Sequence, residues 1–145
     1  MISYTTSPEG ITPDMLRGFF VGWPNPPSLE THLRILHGCD AVILAMDDAS
    51  GLVVGFITAI TDHVSCAYVP HLEVVPDHQG NGIGSELVRR MVELLDGLYM
   101  VDLLCDPDVQ PFYERSGFRR ATGMCLRNYD YQAGSDTSLP TAGHG

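Results

Sequence analysis

Apolar positions along this chain recur with two different periods, and each switch between them marks an element. Residues 2–6 alternate apolar and polar, the mark of a short strand. Thr12 and Pro13 then read as N-cap and first helical position of a helix that carries Met15, Leu16, Phe19 and Phe20 on one face and breaks at Gly22. Residues 21–27 hold three prolines and predict a rigid loop. Ser28 caps a second helix, in which Leu29, Leu33 and Leu36 recur at helical spacing before Gly38. Two apolar, β-branched runs follow, 41–46 and 52–60, joined by an Asp-Asp-Ala-Ser-Gly turn over 47–51 that predicts a hairpin. A third strand is predicted over 66–75. Pro70 lies inside it and cannot donate to a ladder, so a neighbouring strand should part or bulge there.

The strongest helical pattern covers 85–95 and ends near Gly97. Residues 100–104 predict another strand. Asp106-Pro107 opens a short helix closed by Gly117 in the left-handed conformation, and 119–129 supply one or two last strands. Residues 132–145 have no periodicity and are rich in small, polar and breaking residues. They predict a flexible tail behind a single domain over 1–131.

Composition narrows the class. A chain of 145 residues is long enough to bury a core without disulfides or metal. No charged, apolar leader opens it and no apolar run has membrane-spanning length, so a soluble, cytoplasmic protein without a membrane partner is expected. Cys39, Cys66, Cys105 and Cys125 form no C-x-x-C pair and have no histidine at ligand spacing; buried thiols are expected, and no metal site. The net charge of −10 opposes nucleic-acid binding, which needs a basic face. It is compatible with one anionic cofactor held at a local positive site, for which Arg89, Arg90, Arg119 and Arg120 are the nearest cations, and it favours a cationic acceptor such as an amine.

Candidate chemistry begins at Gln79-Gly80-Asn81-Gly82-Ile83-Gly84, between an apolar run ending at Pro76 and the helix that starts near Ser85. Three glycines within five residues let the backbone approach a ligand, and the helix adds the positive end of its dipole, a site for phosphate. A dinucleotide fingerprint would need glycine at Ser85 or at Leu87, and a Walker loop needs a lysine, which the chain lacks altogether. What remains is Gln-x-x-Gly-x-Gly, spelled Gln79, Gly82 and Gly84. Downstream, Leu103-Leu104-Cys105-Asp106 leads into Pro111-Phe112-Tyr113-Glu114-Arg115-Ser116-Gly117-Phe118.

With its lead-in Leu72-Glu73-Val74-Val75-Pro76, the first motif resembles the acyl-CoA pyrophosphate loop of the GCN5-related N-acetyltransferases (GNAT family). The second is similar to that family's Phe-Tyr-x-x-x-Gly-Phe signature. Together they cover residues 66–120, and the first 60 residues match in pattern only. The resemblance implies an α/β (α+β) fold with a mixed central sheet, splayed strands and about four flanking helices. It implies transfer of an acetyl group from acetyl-CoA to a small-molecule or peptide amine in a ternary complex, and it admits a homodimer. The backbone of Val74, Val75, Gly80, Asn81, Gly82, Ile83, Gly84 and Ser85, with the Gln79 side chain, would hold the coenzyme. Tyr113 would protonate the departing thiolate. For the base, some relatives carry Glu or His near the position of Tyr68; here the candidates are Glu73, His71 or water.

Glu73 inside an apolar run needs a reason, and a salt bridge to an arginine competes with a catalytic role. Cys105 has no activating histidine or cation beside it in sequence, which favours direct transfer over an acyl-cysteine. Trp23 with its neighbouring prolines, and Asp62-His63, would wall the acceptor site. The rival reading is a non-catalytic acyl-CoA-binding or protein-interaction module on the same fold.

Overall fold

The computed structural model describes residues 1–136. Strands β1 (Ile2–Thr5), β2 (Ala41–Asp47) and β3 (Val53–Thr61) pair antiparallel in chain order, with the predicted turn closing β2 onto β3. Asp47 stabilises that turn by accepting the Ala49 N–H and the Ser50 hydroxyl.

The third predicted strand is divided as Pro70 requires. Its first part, β4 (Cys66–Tyr68), pairs with the end of β3 and runs parallel to β6 (Met100–Asp102). Its second part, β5 (Leu72–Val74), pairs with the middle of β3, Gly55 opposite Val74, and with no other strand. The Val69 N–H still reaches the Asp102 carbonyl at 2.9 Å, but the His71 carbonyl already accepts from Thr58 on β3. From that point β5 stays on β3 while the chain beyond β6 leaves, and the mixed sheet opens like a V.

The sheet is covered on both faces. Helix α2 (Ile83–Leu94) buries Ile83, Leu87, Val88 and Met91 against Ile43, Ile57 and Ala67, with Leu72 and Val74 at the edge of that cluster. Each such fully buried aliphatic side chain contributes about 1.5–3 kcal/mol over its exposed state. Helix α1 (Leu29–Gly38), capped by the Ser28 hydroxyl accepting from Thr31, packs with Leu16 and Phe20 on Val42, Leu44 and Phe56 on the other face. The short α3 (Gln110–Glu114) follows β6.

Four expectations need correction. The helix expected after Thr12 is only a 3-10 turn, Pro13–Met15, because Gly18 (φ 92°) and Phe20 (φ 60°) stand in conformations that no right-handed helix can contain. The described residues therefore hold three α-helices rather than about four. Residues 118–128 form no strand. Lastly, the cysteines are free thiols, but three are only half-buried and Cys125 is exposed. Asp106 opens its turn through its carbonyl, with no side-chain cap. Of the segment expected to be a tail, Gln132 accepts from the Asn25 N–H and the Ser135 carbonyl from Arg34, while residues 137–145 lie outside those described.

Candidate active site

The glycine loop joins β5 to α2 through a 3-10 turn, Pro76–His78. Gly80 (φ 83°) and Gly82 (φ 80°) occupy the left-handed region, which a side chain resists by roughly 1–2 kcal/mol. Gly82 is the N-cap of α2, and no side chain caps the helix. As a result the N–H groups of Gly80, Asn81, Gly82, Ile83, Gly84 and Ser85 donate to nothing among the described residues. Six free donors in sequence at the positive end of a helix make an anion site. At Gly84 a Cβ would meet only ordinary contacts, 3.5 Å from the Phe112 ring and 3.8 Å from Val74. The Gln79 side chain is occupied, donating to the Val74 carbonyl at 3.0 Å, and so braces the loop to the end of β5.

Three of the four arginines expected to supply positive charge are committed elsewhere. Arg89 pairs with Glu86 and Glu93, Arg90 with Glu86, and Arg120 with Glu114. The described loop thus presents main-chain dipoles in place of side-chain cations.

The V-shaped opening begins where the loop ends. In an antiparallel ladder the residues facing the partner alternate. His71 and Val75 bond to β3 through their main chain, so the main-chain groups of Leu72 and Val74 face the opening. The Val74 N–H points into the gap that the divergence of β6 creates.

Side chains on the two faces of β5 differ in kind. Leu72 and Val74 join the α2 cluster, while His71 and Glu73 share the opposite face, which settles the register left open by Pro70. Glu73 lies opposite Phe56 and accepts the Phe20 N–H at 2.7 Å. Burial raises its pKa, and the Phe20 N–H offsets part of that rise. No arginine pairs with it among the described residues, so the salt-bridge alternative is replaced by a main-chain hydrogen bond. That bond also holds Phe20 in its left-handed conformation.

His71 bonds to the Thr58 hydroxyl at 3.2 Å, and burial lowers its pKa. Behind it lies a residue the sequence reading passed over. His32 is 1% exposed, ringed by Phe19, Phe20 and Phe56, with its Nε2 unpartnered among the described residues. Burial, aided by His71, drives its pKa to about 4. The signal was present, since position 32 continues the stripe of Leu29, Leu33 and Leu36. Trp23 meets Phe20 edge-on, ring centroids 4.8 Å apart, and lies partly exposed on the outer side. Asp62 is instead a turn residue, accepting from Val64, Ser65 and Cys66.

Tyr113 packs in the α2 cluster, edge-on to Phe112 and Phe118. Burial, with a smaller effect of Cys105, pushes its pKa up to about 12, so the hydroxyl holds its proton throughout the neutral range. Tyr68 is 39% exposed and stands apart from Glu73 on the other side of Pro70.

The candidate site thus consists of an open V between strands, a run of main-chain donors at the end of β5 and a half-buried carboxylate on one face of that strand, with a protonated phenol in the cluster packed on the other. The Acetyltransferase (GNAT) family description matches residues 9–118, and the chain belongs to that family. A candidate acetyltransferase from Deinococcus radiodurans R1 is 50% identical, with a TM-score of 0.90 and 94% of each chain covered. A GNAT-family protein from Streptococcus pneumoniae TIGR4 is 29% identical, with a TM-score of 0.72, covering 88% of this chain and 98% of that one. Glucosamine 6-phosphate N-acetyltransferase 1 of Oryza sativa subsp. japonica is 32% identical over 110 residues, 66% of this chain and 67% of that protein. An uncharacterized N-acetyltransferase of Porphyra purpurea is 28% identical over 101 residues, 68% of this chain but 58% of the relative, so the match spans less than two thirds of that protein's length. No described helix is long and apolar enough to cross a membrane.

Proposed function

We propose that this protein is an N-acetyltransferase that moves the acetyl group of acetyl-CoA directly to an amine in a ternary complex. The observation that carries this reading is the run of N–H groups from Gly80 to Ser85 left free among the described residues, at the end of β5, whose one face carries Glu73 and whose other face packs in the cluster that contains Tyr113. The donors fit a pyrophosphate, and the coenzyme would supply the thioester as an activated acyl group.

The roles of the chain's own residues follow from their placement. Gly80–Ser85 anchor the pyrophosphate and thereby set how deep the acyl group reaches. Val74 offers its N–H to the carbonyl oxygen as negative charge builds there, a contribution of about 3–4 kcal/mol in comparable sites. Glu73 takes a proton from the acceptor ammonium, directly or through water. An amine with a pKa near that of lysine must be neutral before its lone pair attacks the carbonyl carbon, which costs about 4–5 kcal/mol at neutral pH. A carboxylate with a raised pKa is the better match for that transfer. Tyr113 gives its proton to sulfur as the C–N bond forms and the C–S bond breaks. Cys105 has its pKa raised chiefly by burial and also by Asp106, the opposite of an activated nucleophile, which supports direct transfer.

The acceptor in this reading is a small-molecule or peptide amine entering past Trp23 and Phe20. The amino sugar in the name of the rice relative is one member of that class. The test is release of free thiol from acetyl-CoA by the purified protein, with pooled amino sugars, amino acids, polyamines and peptides against a blank without acceptor. Acceptor-dependent release is expected. Bound acetyl-CoA with no release would favour a binding module.

A further inference from the structure

The cationic side chains of this chain can be placed one by one, because it holds eight arginines and no lysine, and all eight arginines lie among the described residues. Arg89 and Arg90 stand on α2 with their glutamates, Arg115 lies over the Phe112 ring, and Arg119, Arg120 and Arg127 line a cleft beside β6. Arg17 and Arg34 are left for the α1 side. Arg34 donates to the Ser135 carbonyl, and Arg17 faces Asp14 at 3.6 Å in an exposed pair without net charge. Glu73 therefore has no cation of its own chain beside it. Its Oε1 accepts the Phe20 N–H at 2.7 Å, and its Oε2 accepts nothing among the described residues. His71 and His32, the histidines of the same cluster, have their pKa values lowered by burial and carry no charge at neutral pH. From Phe56 a row of rings runs outward through His32 and the buried Phe20 to Trp23, which is 37% exposed and meets Phe20 at 4.8 Å. The row ends on an indole, the aromatic surface that attracts cations best.

We propose, resting on acetyl transfer as the reaction of this site, that the acceptor is a linear diamine or polyamine, its reacting nitrogen at Glu73 and a second ammonium against Trp23. Amines that carry a carboxylate or phosphate beside the reacting nitrogen are selected against. Such a group would be brought toward Glu73 with no arginine in place to offset it, a like-charge contact where the dielectric is reduced. A second ammonium in the same position is drawn by Glu73, by the indole and by the net charge of −10. In the transfer a C–N bond forms and the C–S bond breaks, so that one ammonium and the thioester become an amide and a free thiol with release of one proton. The second ammonium keeps its charge throughout and serves as a handle.

Three acceptors that share one five-carbon chain test this: 1,5-diaminopentane, pentylamine, which lacks the second ammonium, and lysine, which adds a carboxylate. Thiol release at saturating acetyl-CoA should give the diamine a kcat/KM about tenfold above either of the others. Trp23→Leu should erase the diamine's advantage over pentylamine, with acetyl-CoA affinity as the check on folding. Lysine equal to the diamine overturns the proposal, since Arg17 would then leave Asp14 to take the carboxylate. Pentylamine equal to the diamine overturns it as well, and so does an advantage that survives in Trp23→Leu. Should that variant fail to bind acetyl-CoA, the three acceptors on the unmodified protein decide alone. Release with other amines but none with the diamine refutes this acceptor class and leaves the transferase reading intact. No release with any acceptor removes the transferase reading, and calorimetric binding of the same three amines then decides: the diamine tightest sustains the site, and any other order overturns it.

Discussion

The two faces of β5 handle charge by opposite means. On the α2 side, six main-chain N–H groups stand free among the described residues while Arg89 and Arg90 are tied to Glu86 and Glu93. On the α1 side the polar groups are side chains, Glu73 and His71, set against Phe20, Phe56 and the buried His32. A phosphate carries permanent charge and needs fixed donors, which backbone dipoles provide without side-chain reorganisation. An amine must change protonation state, and that requires groups whose own pKa values burial has moved. In the proposed mechanism the α2 side therefore holds the cofactor's charge and supplies the acid, Tyr113, while the α1 side carries the base, Glu73.

The comparison can be broken most severely at the backbone. Gly82→Val forces a β-branched residue to φ 80° and places methyl groups at the mouth of the donor run. Affinity for acetyl-CoA by calorimetry should fall by at least about a thousandfold. Retained affinity would remove the loop from its role.

Next in size is the acid sensitivity of the other face. His32 is held neutral in the folded protein, with its pKa lowered from 6.5 to about 4. The unfolded chain therefore binds a proton that the folded one refuses. Stability is full above pH 6.5 and falls by up to about 3 kcal/mol as the pH drops toward 4. His32→Phe should flatten that slope in chemical denaturation measured between those limits. An unchanged slope would mean that other groups set it.

Two substitutions sharpen the division of chemical labour. Tyr113→Phe keeps the ring contacts and should lower kcat about 100-fold with acetyl-CoA affinity unchanged. Equal turnover would leave Tyr113 as core packing. Glu73→Gln retains an oxygen for the Phe20 N–H and so preserves the loop, while kcat/KM falls about 30-fold. Because the folded protein raises the pKa of Glu73, the unmodified enzyme should gain activity with rising pH as this carboxyl ionises, and the variant should lose that limb. A pH profile identical in both would assign the proton to His71 or water.

Much of this was legible from residue order. The glycine spacing, the β2–β3 turn, the α2 stripe and the parting at Pro70 depend on local geometry that each residue type enforces by itself. The missing first helix was not. Thr12-Pro13 is a sound start signal, and the apolar spacing of Met15, Leu16, Phe19 and Phe20 suits a helix, yet Phe20 is drawn out of it by the Glu73 carboxylate, 53 positions along the chain. Arg89 and Arg90 looked free beside the motifs, but their carboxylate partners sit one turn away on α2, a pairing set by helical spacing. The expected strands at 119–129 failed for a different reason: strand character requires a partner, and among the described residues no strand pairs with 118–128.

By itself the sequence determined where the backbone could bend, which faces were apolar and that a loop of three glycines would present bare amides, since these follow from φ, ψ and side-chain volume at single positions. Only the tertiary structure decided that His71 and Glu73 face α1 and that Tyr113 belongs to the opposite cluster. It also decided which arginines are spent on neighbours and that the Val74 N–H looks into an open gap. Those outcomes depend on strand register and on long-range burial, where a shift of one residue reverses every side chain and no local pattern records the result.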